Sequence, residues 1–180
     1  MTFQSPYYEQ VLGYWKSLCT NNQIPTASMF DPIAVSASMQ NITLWEMDEN
    51  DTIRCRLAGT AVVERMSIDI TGVELSEIMG PKARHVLVAD FRTMLSHPCG
   101  VWYALINRHP TGKIVVVDSL ILPLNAEPGK LPKFVMMHGQ REILGYEIDE
   151  AKLELGRDFH EHAYIDLGWK IPPIQNETSA

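Results

Sequence analysis

The chain has 180 residues, of which 46% are hydrophobic and 21% charged, and its formal net charge at pH 7 is −7. This balance is typical of one globular domain, and the acidic surplus argues against a nucleic-acid-binding surface and against adsorption to an anionic membrane. The first ten residues carry no signal-peptide pattern, and no apolar run approaches the ~20 residues of a membrane helix, so we expect a cytoplasmic protein.

Two helices and a hairpin are predicted in the first third of the chain. Tyr7, Val11 and Trp15 recur at helical spacing, which predicts a helix over residues 7–19. Asp31 before Pro32 is typical of an N-cap, so a second short helix should run to about residue 39. Residues 42–47 and 52–58 then indicate two strands that should pair as an antiparallel hairpin.

Helices are predicted next, and strands follow them. Gly59-Thr60 breaks the second strand, residues 61–66 should form a short helix, and the sequence from Asp69 to Gly72 indicates a turn. A helical turn over residues 73–79 precedes a longer helix that starts at Pro81. Three further strands are predicted over residues 101–108, 113–124 and 133–140.

The stretch from Ala58 to Gly72 resembles the second strand and following helical segment of a PAS domain, more closely that of the short stand-alone PAS proteins of proteobacteria. The element order is similar to that family over residues 7–140. The resemblance implies an α+β fold, in which a five-stranded antiparallel sheet carries helices on one face and is flanked by an N-terminal helix. It divides the chain into a helical extension (1–40), a PAS-like core (41–140) and a C-terminal tail (141–180). Met66-Ser67 departs from the aromatic residue and glycine that are common in those relatives.

The strand over residues 113–124 predicts cover on both faces of the sheet. Its residues 114–117 and 120–122 are apolar without alternation, as expected for a strand that is buried on both sides. The helices predicted between the second and third strands cover one face of the sheet. We expect the first helix to lie across the other face and to contribute to a homodimer.

The resemblance implies a sensory or regulatory protein of bacterial signal transduction, acting through ligand binding or contacts with a signalling partner, and not an enzyme. In members of that family, the cleft between the helices and the sheet holds haem, flavin, a metabolite or nothing. The resemblance therefore predicts no particular cofactor. The candidate cleft residues are Arg65, Met66, Phe91, Trp102 and Met136.

Other chemistries are less well supported by the sequence. Flavin photochemistry requires a cysteine that residues 61–66 lack, whereas haem binding would use a histidine on the long helix, either His85 or His97. A binding module without a signalling partner, holding haem or another small molecule, is one alternative, and a small α+β cone-fold enzyme is another. No GxSxG, GxGxxG, HExxH or P-loop motif is present, so no catalytic residue is predicted.

Three polar features have structural interpretations. No third ligand accompanies the two histidines of His160-Glu161-His162, and the three cysteines form no CxxC pair, so no metal site is predicted. Cys55 is expected to be a buried, small apolar residue. Asp118 lies inside an apolar strand and, if buried, should pair with Arg56 or Arg65.

Overall fold

The computed structural model describes residues 6–21, 23–147 and 152–173. The helices are α1 (Pro6–Leu18), a 3-10 helix (Pro32–Val35), α2 (Ser36–Met39), α3 (Thr60–Met66), α4 (Leu75–Ile78) and α5 (Pro81–Ser96). The strands are β1 (Ile42–Met47), β2 (Ile53–Ala58), β3 (Gly100–Arg108), β4 (Lys113–Leu124), β5 (Lys133–Tyr146) and β6 (Glu154–Ile165). None of the helices in these ranges is long and apolar enough to span a membrane.

The strands form one antiparallel sheet in the order β2-β1-β5-β4-β3-β6. The predicted α+β architecture is confirmed, and the β1–β2 hairpin joins the later strands through β5. The prediction of five strands is wrong, because a sixth strand, β6, pairs with β3 at the edge of the sheet. This strand lies within residues 141–180, which were assigned to the tail. Exposed charged side chains such as Arg157 and Glu161 make β6 a typical edge strand and weaken its apolar signal.

The inner face of the sheet is covered by α3, α4 and α5. Phe91 of α5 stacks on Phe134 of β5, with ring centroids 3.7 Å apart, and neither side chain is exposed. A glycine is needed where β2 turns into α3, because a Cβ at Gly59 would lie 2.4 Å from the backbone oxygen of Gln40. The close approach of Gly59 to the Gln40 backbone places α3 against the inner face of the sheet. Cys55 is fully buried in the same core, as expected.

The outer face is covered by α1 and the 3-10 helix, so the expectation that the first helix crosses this face is confirmed. Trp15 is fully buried and its Nε1–H donates to the Pro123 carbonyl oxygen at 2.8 Å. Leu120 and Leu122 of β4 pack in this outer core, whereas Ile121 packs in the inner one. The two separate cores explain why β4 is apolar without alternation. The homodimer stays a prediction.

Candidate functional site

A cavity of about 50 Å³ lies between the α3–α5 layer and the inner face of the sheet. Most of its wall is apolar, with side chains such as Val62, Leu87 and Ile121. The polar residues on the wall are Thr43, Arg65, Asn107, His109, Ser119 and His138. An apolar cavity with a few polar groups is the usual form of a small-molecule site.

Four side chains on β1, β4 and β5 form one hydrogen-bonded chain along this wall. Trp45 Nε1–H donates to Thr43 Oγ1 at 2.8 Å, and His138 Nε2 lies 2.7 Å from the same oxygen. His138 Nδ1 lies 2.8 Å from Ser119 Oγ. Because β5 runs between β1 and β4, with His138 opposite Ser119, the sheet itself places the imidazole between the two hydroxyl groups.

The environment keeps His138 neutral. Burial, together with the positive charge of Arg65, lowers the pKa of its imidazole from 6.5 to about 3. Burial also lowers the pKa of His109, assisted by Lys113 and Arg65. The Ser119–His138 contact is therefore not an activated nucleophile, because an imidazole with so low a pKa is a poor general base at neutral pH.

Arg65 brings a positive charge to the cavity. Its Nη1 donates to Asn41 Oδ1 at 2.6 Å, and burial lowers the pKa of its guanidinium group. Within the part of the chain that the structure describes, Arg65 forms no salt bridge with a carboxylate. A partly buried guanidinium group with only a neutral partner retains much of its capacity to bind an anion.

The predicted cleft residues divide into two groups. Arg65, Met66 and Met136 line the cavity. Phe91 lies in the inner core behind the wall, and Trp102 lies on the outer face, where its ring is 5.0 Å from that of Tyr8. The placement expected for Trp102 is wrong, because successive side chains on β3 point to opposite faces and Tyr103 occupies the inner one. Whether any of these residues binds a ligand stays a prediction.

The two histidines that line the cavity, His109 and His138, were not predicted from the sequence. His85 is exposed, and His97 Nε2 lies 3.0 Å from the Lys170 carbonyl oxygen, so neither reaches the cavity. A signal for His138 was present, since it interrupts the apolar run that begins at Phe134 of β5. Its partners on other strands could not be identified from that run.

The cavity does not fit a haem or a flavin. Its volume of about 50 Å³ is far below the roughly 300–1,000 Å³ of sites for drug-sized ligands. No cysteine is among the described residues of its wall. The residues present therefore assign no role to either cofactor.

The partner predicted for Asp118 is wrong. Asp118 is buried, but its carboxylate pairs with Arg141 of β5, with Nη2 2.7 Å from Oδ1. Arg141 also contacts Glu161 of β6 at 2.6 Å. Burial raises the pKa of Asp118 and Arg141 opposes that effect. Asp118 lies on the outer side of β4, away from the cavity, and Arg56 is instead near Glu46 at 3.9 Å.

A second buried carboxylate ties α5 to the sheet. Asp90 of α5 accepts hydrogen bonds from the hydroxyl groups of Tyr103 on β3 and Tyr164 on β6, the latter at 2.6 Å. His162 Nε2 lies 2.9 Å from Asp90 Oδ2. His162 therefore has a protein partner, and over residues 6–21, 23–147 and 152–173 no group of three or more metal-ligating side chains is arranged to hold an ion.

Solved structures resemble the chain at low identity. A light-oxygen-voltage domain studied with a flavin analogue is 15% identical over 64% of this chain and 89% of its own, with a TM-score of 0.49. A fungal LOV domain photoreceptor is 16% identical over 64% and 94%, with a TM-score of 0.46. A sensory box histidine kinase/response regulator from Burkholderia thailandensis is 18% identical over 61% and 82%, with a TM-score of 0.37. These values support no inference about function.

The family is shown by sequence. No curated protein matches the chain. A family model described as a PAS domain matches residues 3–137, which is well over half of the chain. The match includes α1, β1–β4 and the cavity residues up to Met136. The chain therefore belongs to the PAS domain family.

Proposed function

We propose that this PAS protein is a sensory or regulatory protein that binds a small ligand in the cavity between α3–α5 and the sheet. The observation that carries the proposal is the hydrogen-bonded chain of Thr43, His138 and Ser119 on a mostly apolar wall. A few polar side chains on a largely apolar cavity wall are the usual means by which a small-molecule site orients its ligand.

Binding would act on the helical layer. The cavity is bounded by α3 and α4 on one side, through residues such as Met66 and Leu75, and by β1, β3, β4 and β5 on the other. A ligand that contacts both walls favours the conformations in which these walls are close together. The signal is then a change in the contacts that the protein makes with a signalling partner, and no reaction is catalysed.

The protein is further proposed to act as a homodimer in the bacterial cytoplasm. The thiol groups of Cys19, Cys55 and Cys99 are free, as is usual in a reducing compartment. Dimerisation would involve α1, which lies across the outer face. Light scattering at micromolar concentration tests this part, and a monomeric mass would contradict it.

A thermal-shift screen against small metabolites tests ligand binding to the cavity. We expect at least one compound to raise the melting temperature of the wild-type protein. The variant Val62→Phe should lose that response, because Val62 lines the cavity and the larger ring fills it. The control Val63→Phe changes the next residue of α3, which lies off the wall, and should keep the response. An equal response in both variants would contradict binding in this cavity.

A further inference from the structure

The hydrogen-bonded chain has one more donor hydrogen than it has hydrogen bonds between its members. Trp45 Nε1–H, the hydroxyl groups of Thr43 and Ser119, and the single N–H of neutral His138 supply four donor hydrogens. Three hydrogen bonds join these groups, so three donor hydrogens are used. If His138 carries its proton on Nε2, the Thr43 hydroxyl hydrogen is left over. If the proton is on Nδ1, the Ser119 hydroxyl hydrogen is left over. In either tautomer the wall keeps one hydroxyl donor for a ligand.

The nearest formal charge on the wall is positive. Arg65 lines the same cavity and is close enough to His138 to lower the pKa of that imidazole. Its hydrogen-bond partner is the neutral amide of Asn41. A guanidinium group and a free hydroxyl donor together present hydrogens to a ligand that accepts hydrogen bonds and carries one negative charge.

The size and the remaining wall restrict the ligand further. A water molecule needs roughly 10–15 Å³ of cavity volume. The cavity of about 50 Å³ therefore holds about three to five non-hydrogen atoms. The rest of the wall is made by apolar side chains, among them Met66, Ile70 and Leu105. An apolar wall of this kind favours a short alkyl group over a fully polar ion.

We propose that the cavity binds a small aliphatic monocarboxylate, with the carboxylate held by Arg65 and the hydroxyl group of Thr43 or Ser119, and the alkyl group held against the apolar wall. This assignment rests on the proposed function, because it names the ligand class of the same cavity.

The test is an NMR titration of the isotope-labelled full chain, with propionate as the probe and propionamide as its neutral isostere. Sodium propionate replaces sodium chloride at constant ionic strength. We expect propionate to shift the amide signals of cavity residues, and we expect propionamide to bind at least about tenfold more weakly, because it lacks the charge. The variant Arg65→Gln should weaken propionate binding at least about tenfold, and Arg65→Lys should restore part of it.

The control variant is Arg84→Gln, which removes an exposed arginine of α5 away from the cavity wall and should bind propionate as the wild type does. Equal affinities for propionate and propionamide, or unchanged propionate binding by Arg65→Gln, would overturn the carboxylate assignment while leaving ligand binding in the cavity intact. Absence of any shift with propionate would also overturn it. The Val62→Phe and Val63→Phe comparison tests the proposed function separately, since it does not depend on the ligand's charge.

Discussion

The two faces of the sheet are built by the same strands and differ in what they enclose. On the outer face, α1 covers the core with large side chains such as Trp15, and the buried Asp118 carboxylate is paired with Arg141. On the inner face, the helical layer leaves a cavity, and Arg65, His138 and Ser119 line it. A tightly filled face contributes stability through burial, whereas a face that keeps space and polar groups gives up part of that stability. The comparison supports the proposal that the inner face binds the ligand, while the outer face contributes mainly to stability.

Removing the anchor of the outer face should have the largest effect. The variant Trp15→Ala loses a fully buried side chain and its hydrogen bond to Pro123, so the free energy of unfolding should fall by about 3–5 kcal/mol. Urea denaturation measures this change. The control Ile33→Ala removes a side chain that is 76% exposed and should change the free energy by less than about 0.5 kcal/mol. Similar losses in the two variants would mean that α1 is not firmly packed on the sheet.

The Asp90 cluster tests how the inner helical layer is fastened. Asp90→Ala leaves the buried Tyr103 hydroxyl group without an acceptor, which should lower the free energy of unfolding by about 1–3 kcal/mol. The double variant Asp90→Ala/Tyr103→Phe removes that hydroxyl group and should recover part of the loss. Urea denaturation of both variants provides the comparison. Strictly additive losses would show that the two side chains are not coupled.

Acid should destabilise the protein through His138. The pKa of His138 is depressed to about 3 in the folded protein and is near 6.5 in the unfolded chain, so between these values the unfolded chain binds more protons. The contribution of His138 to stability is therefore present above pH 6.5 and is lost as the pH falls towards 3. Between pH 7 and 5 the wild type should lose about 2 kcal/mol more than His138→Gln. Equal losses in urea titrations at the two pH values would contradict the neutral state assigned to this imidazole.

The smallest effect is expected where the inner helical layer meets solvent. Lys82 of α5 and Asp158 of β6 lie 3.3 Å apart, and their side chains are 75% and 59% exposed. Lys82→Ala should therefore change the free energy of unfolding by less than about 0.5 kcal/mol. Thermal denaturation at low and high salt measures it. A loss as large as that of Asp90→Ala would mean that surface charge, rather than the buried cluster, joins α5 to β6.

The local elements were largely predictable, because their signals lie within short windows of sequence. The bounds of β1 and β4 were predicted to the residue, those of α3 to within one residue, and α5 begins at the predicted Pro81. β6 was missed because its outward side chains are charged and its pairing with β3 cannot be inferred from its own composition. The prolongation of β5 to Tyr146 was missed for a similar reason, since its last residues are mostly exposed.

The candidate site was predictable only in part. Arg65, Met66 and Met136 were correctly placed on the cavity, because their elements bound the cleft in the family that the chain resembles. Trp102 was placed on the wrong face, because β3 is almost entirely buried and its apolar run does not show which side chains point inward. His138 was missed because Thr43, one of its two partners, is 95 residues away in the chain.

By itself, the sequence determined where most helices and strands form, that β4 would be covered on both faces, and that the chain resembles the PAS family. The tertiary structure decided which buried polar groups meet: Asp118 with Arg141, Asp90 with Tyr164, and His138 between Thr43 and Ser119. The physical reason is that periodicity and turn chemistry act between neighbours in the chain, whereas these contacts depend on strand order and register. Hydrophobic burial over the whole sheet selects that order, so the cavity and its charge exist only in the folded protein.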